Sequence, residues 1–150
     1  MQRLYLEELA VGQRFESRAQ TVDADAIKAY AREFDPQPFH LDEESAKPTF
    51  FGGLAASGWH TASLTMRLIV ESVPFAGGVI GSGGELSWPR PVRPGDSLHV
   101  VSEVLEVTPS RSKPERGMVV MRSTTLNQNG ETVQVLTPKL VVPRRPPGAS

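Results

Sequence analysis

Two stretches of this chain hold residue types that chemistry needs. The first is Phe34-Asp35-Pro36-Gln37-Pro38-Phe39-His40-Leu41-Asp42, which sets an acid and an imidazole five positions apart in a loop stiffened by two prolines. The second is Phe51-Gly52-Gly53-Leu54-Ala55-Ala56-Ser57-Gly58-Trp59-His60, a glycine-rich entry into an apolar helix. A carboxylate and an imidazole that reach one water can exchange its protons. A helix N-terminus offers unpaired N–H groups and positive dipole charge to an anion. Acid, base and anion site together are what adding water to an activated double bond requires, as in an acyl thioester.

The same residues admit plainer readings. Asp35 could cap the helix before it, and His40 could satisfy a backbone group. If both are catalytic, burial under the helix is expected to raise the Asp35 carboxyl toward neutrality. The order of residues leaves open which of the two is the base. Pro36 and Pro38 lower the entropy of the loop in either case, and Asp42 reads as the cap of a following helical turn.

The elements around these stretches follow from periodicity. Asp23 to Phe34 reads as a helix with acidic residues in its first turn and Ile27, Tyr30, Ala31 and Phe34 facing inward. Pro36 and Pro38 stop it. A longer helix runs from about Ala55 to Val73, ended by Pro74 and apolar on several sides, which calls for other structure wrapped around it. Gly77 to Gly84 reads as a flexible loop that shares the pocket walls with Leu54, Trp59, Met66, Val73 and Phe75. Strands are expected at Arg14 to Ala19, Glu85 to Trp88, Ser97 to Thr108, Gly117 to Asn127 and Thr132 to Val142. Asn129-Gly130 is a strong hairpin signal between the last two, and Thr132 to Val142 has the β-branched character of a sheet edge. Residues 143–150 read as a frayed tail. The sum is a single α+β domain of 150 residues, an antiparallel sheet wrapped around a central helix.

Composition removes several classes of function. Lys+Arg total 16 and Asp+Glu 17, for a net charge of −1. That balance argues against nucleic acid as a partner. There is no cysteine, so thiolate nucleophiles, thiolate metal sites and disulfides are excluded. The absence fits a cytoplasmic protein. No secretory leader is visible at Met1 to Glu8, and no apolar run is long enough for a membrane span. The three histidines lack the His-Glu-x-x-His spacing of a zinc site, so no metal is expected. Ser57 and Ser63 lack the Gly-x-Ser-x-Gly elbow of a serine hydrolase. Gly77 to Gly84 lacks the lysine and glycine spacing of a nucleotide cradle. His60, inside an apolar helix, reads as a core or interface histidine, and His99 as structural.

The Asp35 to Asp42 segment is similar to the Asp-x-Asn-Pro-x-His-x-Asp motif of the MaoC-like dehydratases, the (R)-specific enoyl-CoA hydratase family. Ser57-Gly58 at the helix entry and Arg90-Pro91-Val92-Arg93-Pro94-Gly95-Asp96-Ser97-Leu98 after it extend the resemblance from about Leu6 to Val142. Gln37 stands where the family has asparagine, and Ser57 where its hydratases often have histidine. The resemblance implies the hot dog fold and reversible hydration of 2-enoyl-CoA, or dehydration of (R)-3-hydroxyacyl-CoA. It implies Asp35 and His40 as the catalytic pair and the Gly58 amide as the oxyanion donor. Gln37, Ser57, Trp59, Arg90 and Arg93 become candidates for substrate binding. Lys139, Arg144 and Arg145 are further candidates for the coenzyme A phosphates, or else solvated surface charge. The substrate is then an acyl-CoA or acyl-carrier thioester, with no cofactor beyond its coenzyme A, and the working unit a homodimer or larger assembly. A thioesterase on the same fold and a non-catalytic acyl-thioester-binding subunit are the rival readings.

Overall fold

The computed structural model describes residues 2–148. After a short 3-10 turn at Leu6–Glu8 come strands β1 (Arg14–Glu16) and β2 (Gln20–Thr21). Helices α1 (Ala24–Phe34), α2 (Pro38–Leu41), α3 (Glu43–Ala46) and α4 (Gly58–Ser72) follow, then strands β3 (Ile80–Ser87), β4 (Ser97–Pro109), β5 (Arg116–Leu126) and β6 (Thr132–Pro143). Asp23 starts α1 by accepting the Ala26 N–H at 2.8 Å. Ile27 and Ala31 turn inward as the periodicity predicts, but Phe34 is exposed at the end of the helix. Asp42 caps α3 through the Ser45 N–H.

The six-stranded antiparallel sheet has the order β1-β4-β5-β6-β3, with β2 also on β4. The turn at Asn129-Gly130 joins β5 to β6, and Gly130 takes a positive φ of 74° there, as the hairpin signal requires. A bulge at Leu105 shifts the register of β4, so Val104 stays buried while Glu106 leaves the face on which alternation placed it. Two expectations fail here. Ile80 to Gly84 is not a loop: it is the first part of β3, paired to β6 from Ile80↔Val141 to Ser87↔Val135. Backbone pairing overrides the low strand propensity of glycine. β6 is not the edge either, because β3 lies outside it. The edge on this side of the sheet is therefore the glycine-rich strand.

One face of α4 buries His60, Thr61, Thr65, Leu68 and Ile69. Leu68 and Ile69 join Val100, Val104, Val119, Met121, Leu140 and Val142 of the sheet in the larger apolar cluster. A smaller cluster joins Ile27 of α1 to Leu54, Ala56, Val92, Leu98 and Val133. Trp59, Met66 and Val70 form a stripe on the outer side of α4 that stays 40–58% exposed, which accounts for its apolar excess. The C-terminal segment is not frayed where it is described. The Arg144 N–H bonds the Glu115 carbonyl at 2.8 Å, Arg144 pairs with Glu7, and Arg145 with Glu8. The end of the expected tail, residues 149–150, lies outside the described residues.

Gly84 is where β3 presses hardest on β6. It adopts φ +154°, and a Cβ there would lie 2.6 Å from the Thr137 carbonyl oxygen and 2.7 Å from Pro138 Cα. Gly84→Ala is expected to lose ~1–3 kcal/mol of stability, measured by denaturant unfolding. An alanine variant as stable as the parent would show that β3 does not hold this register.

Candidate active site

The chain entering α4 is extended, buried and outside regular structure, so its backbone groups need partners elsewhere. The helix begins at Gly58, not Ala55, with Ser57 as its N-cap. Ahead of it, the Ala55 N–H bonds the Phe39 carbonyl at 3.0 Å and the Ala56 N–H the Val92 carbonyl at 2.9 Å. The Ala55 carbonyl accepts from His40 Nδ1 at 2.6 Å. Arg93 donates to the carbonyls of Phe51, Gly53 and Leu54 at 2.5, 3.0 and 3.3 Å. This corrects the reading of Arg93 as a substrate contact: its guanidinium is occupied in holding the helix entry.

Asp35 closes α1, its N–H bonded to the Ala31 carbonyl at 2.9 Å. His40 is not on a loop. It lies on the single turn of α2, which Pro38 opens. Two buried links converge on the Asp35 carboxylate. Ser57 Oγ donates to Oδ2 at 2.7 Å, and His40 Nε2 stands 3.3 Å from the same oxygen. Gln37 Nε2 donates to Oδ1 at 2.5 Å. Burial pushes the carboxyl upward, but the Ser57 and Gln37 hydrogen bonds and the nearby His40 charge outweigh it and leave Asp35 below its ordinary value. The expectation that burial would raise it is thus reversed, because donors surround the charged form. Ser57, standing where histidine was expected, is one of them.

The Ala55 carbonyl can only accept, so His40 Nδ1 must carry a proton. Nε2 then faces a carboxylate oxygen. With Nδ1 committed to that carbonyl, Nε2 is the ring nitrogen left to exchange a proton. His40 and Asp35 have side chains only 6% and 16% exposed, so the pair is held in place and screened while remaining open on one side.

That side is a pocket of about 520 Å³ lined by Asp35, His40, Gly58, Trp59, Thr61 and Trp88, with Phe50, Phe51, Ala56 and Pro89–Val92 completing it. A wider concavity of about 660 Å³ against the C-terminal segment is lined by Glu7, Pro114, Glu115 and residues 143–147; it contains no acid–imidazole pair. Of the expected wall residues only Trp59 lines the pocket. Leu54, Val73 and Phe75 lie in the apolar clusters, and Met66 is on the outer side of α4. Among the described residues no acceptor partners the Gly58 N–H. A Cβ at Gly58 would lie 2.7–2.9 Å from the Trp88 indole, so the glycine admits an aromatic ring against the first turn of α4. Arg90 stays at the rim, paired with Glu131 at 3.2 Å. His99 stands 3.8 Å from Glu16, away from the pocket.

Sequence reasoning missed Trp88 and Thr61, which line the pocket but carry no motif. Trp88 sits directly before the Pro89-Arg90-Pro91 run, the one signal that its backbone is held. His60 does not line the pocket. It stacks on Tyr30 at 4.7 Å and 6°, and burial lowers its pKa.

Comparison with known proteins bears on the family and the fold. The chain matches the family model described as MaoC like domain over residues 7–127. It is 64% identical to the MaoC-like dehydratase from Rhodospirillum rubrum, with a TM-score of 0.93, covering 95% of this chain and 99% of that one. The (R)-hydratase PhaJ1 from Pseudomonas aeruginosa is 30% identical, with a TM-score of 0.77, over 95% of this chain and 88% of that one. The 3-hydroxybutyryl-CoA dehydratase of Methylorubrum extorquens is 34% identical over 110 residues, 73% of this chain and 69% of that protein. With an antiparallel sheet around a helix and a family model matched from residue 7 to 127, the chain belongs to the MaoC-like dehydratase family and has its hot dog fold.

Proposed function

We propose that this protein is a hydro-lyase that reversibly hydrates 2-enoyl-CoA thioesters to (R)-3-hydroxyacyl-CoA. The observation that carries the reading is the Asp35 carboxylate 3.3 Å from His40 Nε2, with the opposite ring nitrogen tied to the Ala55 carbonyl. A water in the pocket beside the pair can hydrogen-bond to Nε2 and to the carboxylate at once. Neutral His40 takes its proton at Nε2 while the oxygen attacks C3. The double-bond electrons move to C2 and the thioester carbonyl, forming an enolate. The imidazolium returns the proton to C2, which restores His40 and adds one water in all. Asp35 stays ionised throughout, orients the water and stabilises the imidazolium.

The enolate oxygen needs a donor, and the unpartnered Gly58 N–H supplies one at the positive end of α4. Donors of this type contribute roughly 2.7–4 kcal/mol to the transition state. Ser57 and Gln37 serve the acid from behind and need not touch the substrate. Trp59 lines the acyl side of the pocket, and Arg90 at the rim is placed for the coenzyme A phosphates. No cofactor enters these steps. The 3-hydroxybutyryl-CoA dehydratase and the (R)-hydratase PhaJ1 among the relatives support the same chemistry.

The working unit we propose is a two-fold homodimer. β3 exposes its outer edge, and a free edge invites pairing. Trp59, Met66 and Val70 add an exposed apolar stripe on α4, and Trp59 also lines the pocket. Each site would then be completed by the neighbouring chain. Sedimentation at assay concentration is expected to give a dimer; a fully active monomer would overturn the shared site.

Asp35→Asn and His40→Ala are each expected to lower hydration at least ~100-fold with the fold retained, followed by loss of enoyl absorbance. Near-parental activity in either variant, or release of free thiol from saturated acyl-CoA by the parent enzyme, would remove the assignment.

Ser57→Ala tests the electrostatics. The folded value of Asp35 is depressed, so its ionisation stabilises the protein above the ordinary carboxylate range. That contribution disappears as pH falls through the depressed value. Without the Ser57 hydroxyl the depression shrinks. The pH at which this stabilisation is lost should therefore move upward, and stability near neutrality should fall by ~1–3 kcal/mol, both read from denaturant unfolding across pH. An unmoved stability profile would mean that Ser57 does not set the state of Asp35.

A further inference from the structure

Trp88 follows directly on β3 and reaches back over the start of α4. Its indole Nε1–H donates to Gln134 Oε1 at 2.9 Å. Its ring stands edge-on to Trp59 at 5.2 Å and 83°. Gln134 is on β6, fully buried, opposite Thr125 of β5. Thr125 in turn shares a hydrogen bond of 2.7 Å with Thr65 of α4, one helical turn past the pocket residue Thr61. Gln134, Thr125, Thr65 and Thr61 thus form a row of buried polar groups leading inward from the pocket beneath α4. The Gln134 Nε2 has no hydrogen-bond partner among the described residues.

A stability-driven core would not place a fully buried glutamine here. Burying an amide is unfavourable unless its groups are bonded, and here one donor is left unmet while the acceptor holds a side chain that is itself 40% exposed. The arrangement makes sense if the position of the indole matters. From this geometry we infer that Trp88, latched by Gln134, is the specificity-determining wall of the acyl pocket and restricts it to short acyl chains. The inference rests on the hydratase reading above.

The indole forms one wall of the pocket that also contains Asp35 and His40, packed against Gly58 and edge-on to Trp59. A short acyl group ends before it. A longer alkyl chain has to displace the ring, break its bond to Gln134, and lie against an amide and hydroxyl groups in place of apolar walls. Trp88→Ala removes the barrier. Gln134→Leu releases the latch and turns the wall apolar with the indole still present.

The test is the ratio of kcat/KM for trans-2-octenoyl-CoA to that for crotonyl-CoA, measured on the full chain. A loss of folded protein lowers both values together and leaves the ratio unmoved, so a structural role alone cannot mimic the effect. The parent enzyme is expected to favour crotonyl-CoA. In Trp88→Ala the ratio should rise at least ~10-fold, the lower range of discrimination by methylene fit, and in Gln134→Leu it should rise in the same direction. If Trp88→Ala does not fold, Gln134→Leu reads the same ratio. A parent enzyme that turns over octenoyl-CoA as well as crotonyl-CoA, or variants with an unchanged ratio, would overturn the inference and leave the hydratase reading standing. Failure of the folded parent to hydrate any enoyl-CoA would instead defeat the hydratase reading.

Discussion

The site depends on a few residues of extended backbone, Leu54 to Ser57, that enter α4 without belonging to any element. They are buried, so their N–H and C=O groups cannot rely on water. Each partner they find fixes another part of the molecule. Phe39 and His40 come from α2, Val92 and Arg93 from the segment before β4. Ser57 at the end of the strip caps α4 and donates to Asp35. Satisfying this strip therefore assembles the acid, the imidazole and the helix N-terminus in one act. It also decides chemistry, since the carbonyl that needs a donor is the one that fixes the His40 tautomer.

The two buried histidines show how environment separates roles. His60 has aromatic packing on one side and an unpartnered Nδ1, and burial alone keeps it neutral. His40 has an acceptor on one nitrogen and a carboxylate at the other. Only the second arrangement can receive a proton and hold the resulting charge. Asp35 complements it because its other bonds keep it ionised despite burial. A low-pKa carboxylate is a weak base, and this is why the proposed reaction gives the base function to the imidazole and the management of charge to the acid.

Much of this was legible in the sequence where the interactions are local. Asp23 and Asp42 as caps, the 23–34 helix, the Asn129-Gly130 hairpin and the Asp35–His40 pairing all involve near neighbours in the chain. What was not legible depends on distant partners. Alanines 55 and 56 favour helix by propensity, but bonds to Phe39 and Val92 hold them extended. Glycines 81, 83 and 84 disfavour strand, yet β6 recruits them, and so the edge of the sheet moved from β6 to β3. Arg93 looked free for a phosphate because its three carbonyl partners lie about 40 residues away, from |i−j| of 39 to 42. The Asp35 carboxyl was expected to rise because burial is readable from an apolar pattern, whereas the Ser57 hydroxyl, 22 residues on, is not.

The same distinction explains why two apolar clusters are present and not one continuous core. Along the inner face of the sheet, Val119 and Met121 give way to Ser123 and Thr125 on β5, and Leu140 and Leu136 to Gln134 on β6. Alternation is intact along β5, so the change in polarity there is not a failure of strand pattern, while on β6 the adjacent Val133 and Gln134 are both buried. The hydroxyls pair with each other, Ser102 with Ser123 and Thr65 with Thr125, which keeps them compatible with burial. The larger cluster lies behind this polar band and stabilises the sheet against α4. The smaller one holds α1, which ends at Asp35, and the helix entry, to which His40 of α2 is bonded. A fold organised this way keeps its main core away from the pocket, so that residues lining the pocket can vary in size and polarity without unsettling the strands that position the site.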